Sequence, residues 1–320
     1  MMLPLNIAFY VSFAFAALVA LSAVVNAWGR YNGGLLVAPA IALLFLMNIF
    51  PLMWSFGLSF FNFRANRALA PFAWVGFDNY AWVLGNADVW NRLKTTALLM
   101  ALTVGAQMIV GFLLALLFEK QFPGRRVMLM LVLTPMMLSF VAVGVFFSYF
   151  YEPTFGLLSQ AMLALTGERF SLLETTPGAI AGIVIADAWM WSPFVMLLIL
   201  AGLVSVPGYL YEAAEIDRAS WWRRFRTITF PYIRGLLMLA LLFRTIEAFK
   251  LFDLVFFITG GGPGGNSTET IAFYVYRQAQ EQYYTSRSAA LAYILLFAVV
   301  VLTNLYLYAI NRRNRSVSKD

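Results

Sequence analysis

The chain has 320 residues, 62% of them hydrophobic and only 12% charged, with a mean hydropathy of +0.78 and a net charge of +7. Soluble domains carry about 25% charged residues, so an ordinary water-soluble fold is excluded. Cysteine and histidine are both absent, which removes disulfides, thiol chemistry and the commonest general base and metal ligand.

A helix that spans a bilayer needs about 20 apolar residues. Seven runs reach that length, near 5–28, 35–61, 95–118, 127–150, 178–204, 233–258 and 289–310. They predict an all-α integral membrane protein, a polytopic bundle of about seven transmembrane helices. The first run has no charge before Arg30 and is too long for a signal peptide, so residues 1–34 are expected to hold a retained helix. Residues 35–310 form the body of the bundle and 311–320 a tail. Lys and Arg favour cytoplasmic loops. One set of loops holds thirteen of them, including Lys120, Arg125, Arg126, Arg223 and Arg312, and the opposite set seven. The 205–232 loop and the C-terminus are therefore expected inside and the N-terminus outside.

The outward loops are more than linkers. Residues 62–94 contain Gly76-Phe77-Asp78-Asn79-Tyr80 and Trp90, aromatic enough to fold onto a surface. Residues 151–177 contain Glu152-Pro153-Thr154-Phe155-Gly156-Leu157. Residues 259–288 open with Thr259-Gly260-Gly261-Gly262-Pro263-Gly264-Gly265. No Gly-Lys-Ser/Thr follows that run, so it is a turn-rich loop and not a phosphate loop.

Within the fifth run stands Asp187. A carboxylate in a span costs about 2.5–3.5 kcal/mol on insertion scales and is tolerated when it faces a cavity or a partner. Asp187, Trp191 and Phe194 share one helix face. An acceptor beside aromatic rings suits a sugar. A carboxylate paired across the bundle, with Trp191 as packing, fits the same residues, and the two readings stand side by side. Pro193 permits a kink.

Then comes a polar island, 205–232. Pro207-Gly208 breaks the chain, and Glu212, Ala213, Ala214 and Glu215 favour a helix with acids in its early turns. Alanines leave a surface that another protein can approach closely, and the arginines that follow also suit a helix lying on lipid phosphates. The sixth run carries Arg244, Glu247, Lys250 and Asp253 at intervals of three with alternating sign. Such neighbours pair on a helix surface, and the face they form also suits a polar pathway. No nucleophile–base pair, paired-carboxylate site or metal cluster is visible, so no catalytic or metal-binding residue is assigned.

The segment Glu212-Ala213-Ala214-x-x-Asp217-x-Ala219, continuing through Trp221 or Trp222 to Phe225, Ile228 and Pro231, resembles the "EAA" loop of ABC importer permeases. The chain from Leu35 to Ile310 is similar to their sugar-type members, through Phe77 to Tyr80, Pro153 to Leu157, Trp191-Ser192-Pro193-Phe194, Phe249-Lys250-x-Phe252-Asp253 and Thr259 to Pro263. One departure is Arg218, where the family usually has Gly. The resemblance implies a six-helix type I importer core with one extra N-terminal helix, in a bacterial inner membrane. It implies that Glu212, Ala213, Ala214, Asp217, Arg218, Ala219 and Phe225 couple the chain to a cytoplasmic ATPase. It puts Asp187, Trp191, Phe194, Glu247 and Lys250 along the substrate pathway. The implied partners are a second related permease, two ATPase copies that carry the ATP and Mg, and an extracytoplasmic binding protein that delivers a sugar or sugar derivative. The chain itself would bind no cofactor. The alternative is an ion-coupled secondary transporter using the buried carboxylates.

Overall fold

A computed structural model describes residues 39–67 and 72–317. The helix expected near 5–28 lies outside the described residues. The chain divides into two compact units, the first ending at Trp82 and taking back Tyr283–Tyr293, the second holding Val83–Gln282 and the chain from Ile294 on.

In the first unit, α1 (Pro39–Leu58 among the described residues) is an apolar helix interrupted by Asn48 and Ser55. It passes directly into a two-stranded hairpin, β1 (Phe61–Asn62) antiparallel to β2 (Ala73–Trp74), with Phe61 opposite Trp74. The hairpin is pinned by the buried Asn79 side chain, whose Nδ2 donates to the carbonyls of Ser59 (2.8 Å) and Phe61 (2.9 Å). Asn79 belongs to α2 (Asp78–Gly85). The backbone N–H of Phe63 donates to Ser286 Oγ at 3.0 Å, and Tyr293 donates to the carbonyl of Leu52.

The second unit is built on α3 (Ala87–Glu119) and α7 (Thr176–Val204). Asn86 caps α3 by accepting from the Asp88 N–H at 2.8 Å, and Thr175 caps α7 through the Gly178 N–H at 3.2 Å. The two helices approach closely because Gly111 faces α7. A Cβ there would stand 2.6 Å from Val195 Cβ and 2.8 Å from the Ser192 carbonyl. Between them in sequence lie α4 (Arg125–Met137) and α5 (Phe140–Phe150), bent from each other by 98°. Pro135, near the end of α4, supplies no N–H, and Ser139 starts a new helix by accepting from Ala142 N–H at 3.2 Å. The turn after α5 is closed by Glu152, whose carboxylate accepts from the backbone N–H of Phe155 and of Thr154, both at 2.6 Å. Those donors hold its carboxyl below the usual carboxylate range. A short helix α6 (Leu157–Thr166) follows.

After α7 come α8 (Gly208–Ile216), α9 (Trp221–Arg224), a widened turn over Phe225–Thr229, and α10 (Phe230–Phe249). The widened turn immediately precedes Pro231, whose ring excludes the carbonyl four residues back in a regular helix. The chain ends through α11 (Ile271–Tyr276) and α12 (Thr285–Val317). The segment ahead of α11 is clamped by Glu269. That fully buried carboxylate meets Arg92 at 2.9 Å and Arg277 at 2.8 Å. The Gly260–Gly265 stretch is a turn-rich loop, with positive φ at Gly260, Gly261, Gly262, Gly264 and Gly265.

Two apolar clusters fill this unit. One gathers Leu99, Phe147, Ile183, Met190, Leu254 and Phe273; the other gathers Ala115, Phe118, Val195, Ile199, Leu203 and Ile233. The fold is all-α and suited to a membrane, but the expected count of seven spans is not reached among the described residues. Four helices there are long and apolar enough to cross, α1, α3, α7 and the Thr285–Tyr308 part of α12, and five if α4 with α5 makes one broken span. The sixth run is not one helix. It stops at Phe249, Lys250 leaves helical geometry (φ −94, ψ 11), and a separate turn over Val255–Thr259 follows.

Candidate functional site

Two places in the second unit hold the residues singled out above. The first is the α8–α9 corner. Pro207 opens α8 and Ser220 caps α9, accepting from Arg223 N–H at 3.4 Å. The bend between them is made with Arg218 in the left-handed region, φ +50. The tight turn that Gly makes without strain is therefore kept here by an arginine. Glu215 Oε1 and Arg224 Nη1, 3.1 Å apart, tie the two helices, and Tyr211 and Thr229 hydroxyls share a 2.8 Å bond that fixes α8 to the widened turn below α10.

The corner has an inner and an outer side. Ala214 is buried, and Ala219, whose N–H donates to the Ala214 carbonyl at 2.9 Å, is half-buried. Phe225 is half-buried as well. It stacks on Trp221 (5.6 Å, 9°) and Trp222 (5.8 Å, 25°) and packs against the second apolar cluster. These three hold the corner together. Glu212, Ala213, Asp217 and Arg218 are exposed. With them stand two apolar side chains that the sequence reading missed, Tyr209 at 65% and Ile216 at 83% exposure. Tyr209, Glu212, Ala213 and Ile216 follow the i, i+3, i+4, i+7 rule for one helix face, a signal that was available in the sequence.

The second place is a buried polar junction of α3, α7 and α10. Asp187 Oδ2 accepts from Gln107 Nε2 at 2.5 Å, Arg244 Nε donates to Gln107 Oε1 at 2.7 Å, and Arg244 Nη2 lies 3.6 Å from Asp187 Oδ1. All three residues are 2% exposed or less. An uncharged amide between an anion and a cation satisfies both, donating to one and accepting from the other. Arg244 is the cation that Asp187 meets, while Lys250 pairs with Glu247 at 2.9 Å, half-exposed at the end of α10. The expected ladder along one helix is thus divided. Arg244 turns to α7, Glu247 and Lys250 pair with each other, and Asp253 lies beyond the break.

Trp191 is enclosed by its neighbours. The Arg244 guanidinium sits 4.5 Å over its ring, Phe140 lies 5.7 Å away and Phe194 meets it edge-on at 6.2 Å. The indole face on the Arg244 side is therefore taken by a cation, a favourable arrangement in itself. Its Nε1 is buried without a hydrogen-bond partner. A cavity of about 210 Å³ opens here, bordered by Phe140, Asp187, Arg244, Glu247, Lys250 and Asp253. A larger one, about 580 Å³, lies among α3, α4 and α7, but Val110, Leu131, Pro135 and Trp189 make it almost wholly apolar. It offers a polyhydroxylated ligand little to bond, so the smaller cavity is the candidate. Gln107 was not singled out in the sequence, because a lone uncharged amide in an apolar run gives no pattern to read. Among the described residues no group of His, Cys, Asp or Glu is arranged to hold a metal.

Residues 107–316 match the family model described as "Binding-protein-dependent transport system inner membrane component". The chain is 33% identical over 280 residues to the sulfoquinovosyl glycerol transport system permease protein SmoG of Agrobacterium fabrum, covering 88% of this chain and 90% of that one. It is 35% identical over 236 residues to the trehalose/maltose transport system permease protein MalF of Thermococcus litoralis, covering 74% and 79%. Its fold is similar to that of a chain in the crystal structure of a bacterial ABC transporter involved in the import of the acidic polysaccharide alginate, with a TM-score of 0.75 at 20% identity over 91% of this chain and 98% of that one.

Proposed function

The chain belongs to the family of binding-protein-dependent transport system inner membrane components, and from that premise we propose how this permease subunit of an ABC importer does its work. The substrate is a sugar or sugar derivative, handed over by an extracytoplasmic binding protein. Support comes from relatives named for sulfoquinovosyl glycerol and for trehalose/maltose, and from a structural neighbour crystallised with an alginate pentasaccharide-bound periplasmic protein. ATP is hydrolysed elsewhere, by two copies of a cytoplasmic ATPase. A second related permease completes the pathway. The 205–232 loop and C-terminus face the cytoplasm and the N-terminus faces out, as the loop cations favour.

The α8–α9 corner is the ATPase dock. The observation that carries this is the exposed face of Tyr209, Glu212, Ala213 and Ile216 on a helix bonded to the base of α10. An apolar rim around an acid and an alanine gives a partner a close-packed centre with one charge to pair. The corner is bonded within itself, so it moves as a body, and α10 carries that motion to Arg244.

At the other end of α10 lies the pathway. Asp187 and Glu247 offer acceptors for sugar hydroxyls, Arg244 and Lys250 offer donors, and Trp191 backs the Arg244 guanidinium. The 210 Å³ cavity is smaller than ordinary ligand pockets of about 300–1,000 Å³. Passage of anything larger than one sugar ring therefore requires α10 and α7 to part, which displaces Arg244 from Asp187. Photo-crosslinking tests the dock. A benzophenone at Ala213 or Ile216 should capture the ATPase subunit in the assembled transporter, and one at the inward-facing Phe225 should not. Equal capture from all three positions, or from none, contradicts the reading.

A further inference from the structure

We propose that the aromatic hairpin of the first unit, together with Arg64, Arg67 and Arg287, is a phospholipid-headgroup anchor. The position follows from where the apolar span ends. The described part of α1 is apolar through Leu58 and is long enough to cross the hydrocarbon layer. β1 starts at Phe61, three residues past Leu58. The hairpin therefore sits where the span leaves hydrocarbon, whichever side of the membrane that is.

The composition of the hairpin suits that depth. Trp74 stacks on Phe60 (5.7 Å, 17°), and Phe63 on Phe72 (4.8 Å, 1°). The rings pack on one another, yet Trp74 is left 66% and Phe77 72% exposed. Large aromatic side chains left open beside the end of a span match the belt of Trp and Tyr at membrane–water interfaces.

The cations point the same way and add the ligand's charge. The Arg64 guanidinium lies 4.1 Å over the Tyr284 ring, and that of Arg287 lies 4.6 Å over Trp82. Neither these two nor Arg67 makes an ion pair among the described residues. The only acidic residue described in this unit is Asp78. Guanidinium binds phosphate through paired hydrogen bonds. Three cations without carboxylates, framed by exposed rings at headgroup level, fit lipid phosphate better than an acidic protein.

The chain has no cysteine, so Ala73→Cys, on the exposed strand β2, can carry a single nitroxide. The label is read in the complete transporter, its partners freed of cysteine, in nanodiscs of phosphatidylethanolamine and phosphatidylglycerol. Its relative collisions with oxygen and with a water-soluble nickel chelate give its depth. We expect headgroup depth, unchanged by adding liganded binding protein. A fully aqueous label overturns the proposal. A label that is aqueous alone and shielded by the binding protein overturns it in favour of a protein dock. In a second arm, Arg64→Gln, Arg67→Gln and Arg287→Gln together should at least halve the phosphatidylglycerol retained through detergent purification, and inorganic phosphate should not displace that lipid from the wild type. Unchanged retention, or displacement by phosphate, refutes the arginine assignment, and the depth measurement stands without that variant.

Discussion

Replacing Asp187 with Leu removes the anion that faces Arg244 in a site where both are buried. Their charged atoms are 3.6 Å apart, which at an effective dielectric of 20 corresponds to about 5 kcal/mol of attraction. Measured costs of breaking buried pairs are about 3–5 kcal/mol, because the remaining charge is stranded. Arg244→Met alone should cost a similar amount. The pair together should not cost the sum. With both charges gone only the Gln107 amide is left unsatisfied, at about 1–3 kcal/mol. The double variant should therefore be more stable than either single one. Chemical denaturation of the purified complex in detergent, read as a double-mutant cycle, measures this. Uptake per folded complex should stay low in the double variant, since the acceptor and donor that face the cavity are missing. A single Asp187→Leu cost below 1 kcal/mol, or a double variant as unstable as the two singles summed, refutes the pairing argument. Full uptake in the double variant removes Asp187 and Arg244 from the pathway.

Arg218→Gly should be stabilising by up to about 1 kcal/mol, because a left-handed arginine costs about 1–2 kcal/mol and glycine's greater unfolded freedom returns part of that; a loss of melting temperature would contradict it. Gly111→Leu should destabilise by about 1–3 kcal/mol or block assembly, since its Cβ would meet Val195 at 2.6 Å; purified yield and thermal stability read this, and wild-type values would show that α3 and α7 lie further apart. Acid should loosen the turn after α5: the lowered carboxyl of Glu152 contributes stability above the ordinary carboxylate range that is lost as pH falls through its folded value, so hydrogen exchange at the Phe155 amide should quicken on acidification in the wild type and be pH-flat, after correction for intrinsic rates, in Glu152→Gln. A cysteine at Ser316 should resist an impermeant maleimide in intact cells and react after permeabilisation; labelling from outside would reverse the orientation.

Much of the fold was legible because apolar runs report burial in lipid or protein directly. The runs near 35–61, 178–204 and 289–310 correspond to α1, α7 and α12. The errors fall where a run's apolarity says nothing of its path. α3 begins at Ala87, eight residues ahead of its run, because a helix capped by Asn86 continues through Asn91, Arg92 and Lys94. The run 127–150 turns by 98°, and Pro135 and Ser139 were the available signals. The break at Lys250 carried none, since no proline or glycine lies near it. At the α8–α9 corner the sequence marks a polar segment, but only packing divides it into inward Ala214 and Phe225 and outward Glu212, Ala213 and Ile216. In the polar junction Asp187 was visible as a charge in a span. Its partners were not, because Gln107 and Arg244 are 80 and 57 residues away from it in sequence and meet it only through three-helix packing.

Coupling of ATP hydrolysis to α10 through the exposed acidic corner is tested most directly by stimulated ATPase activity in proteoliposomes holding the complete importer. Liganded binding protein should raise ATP hydrolysis by the wild-type complex. With Glu212→Lys or Asp217→Lys, both exposed and outside the packed interior, the complex should assemble at normal yield and lose that stimulation. Wild-type stimulation in both variants would contradict this coupling.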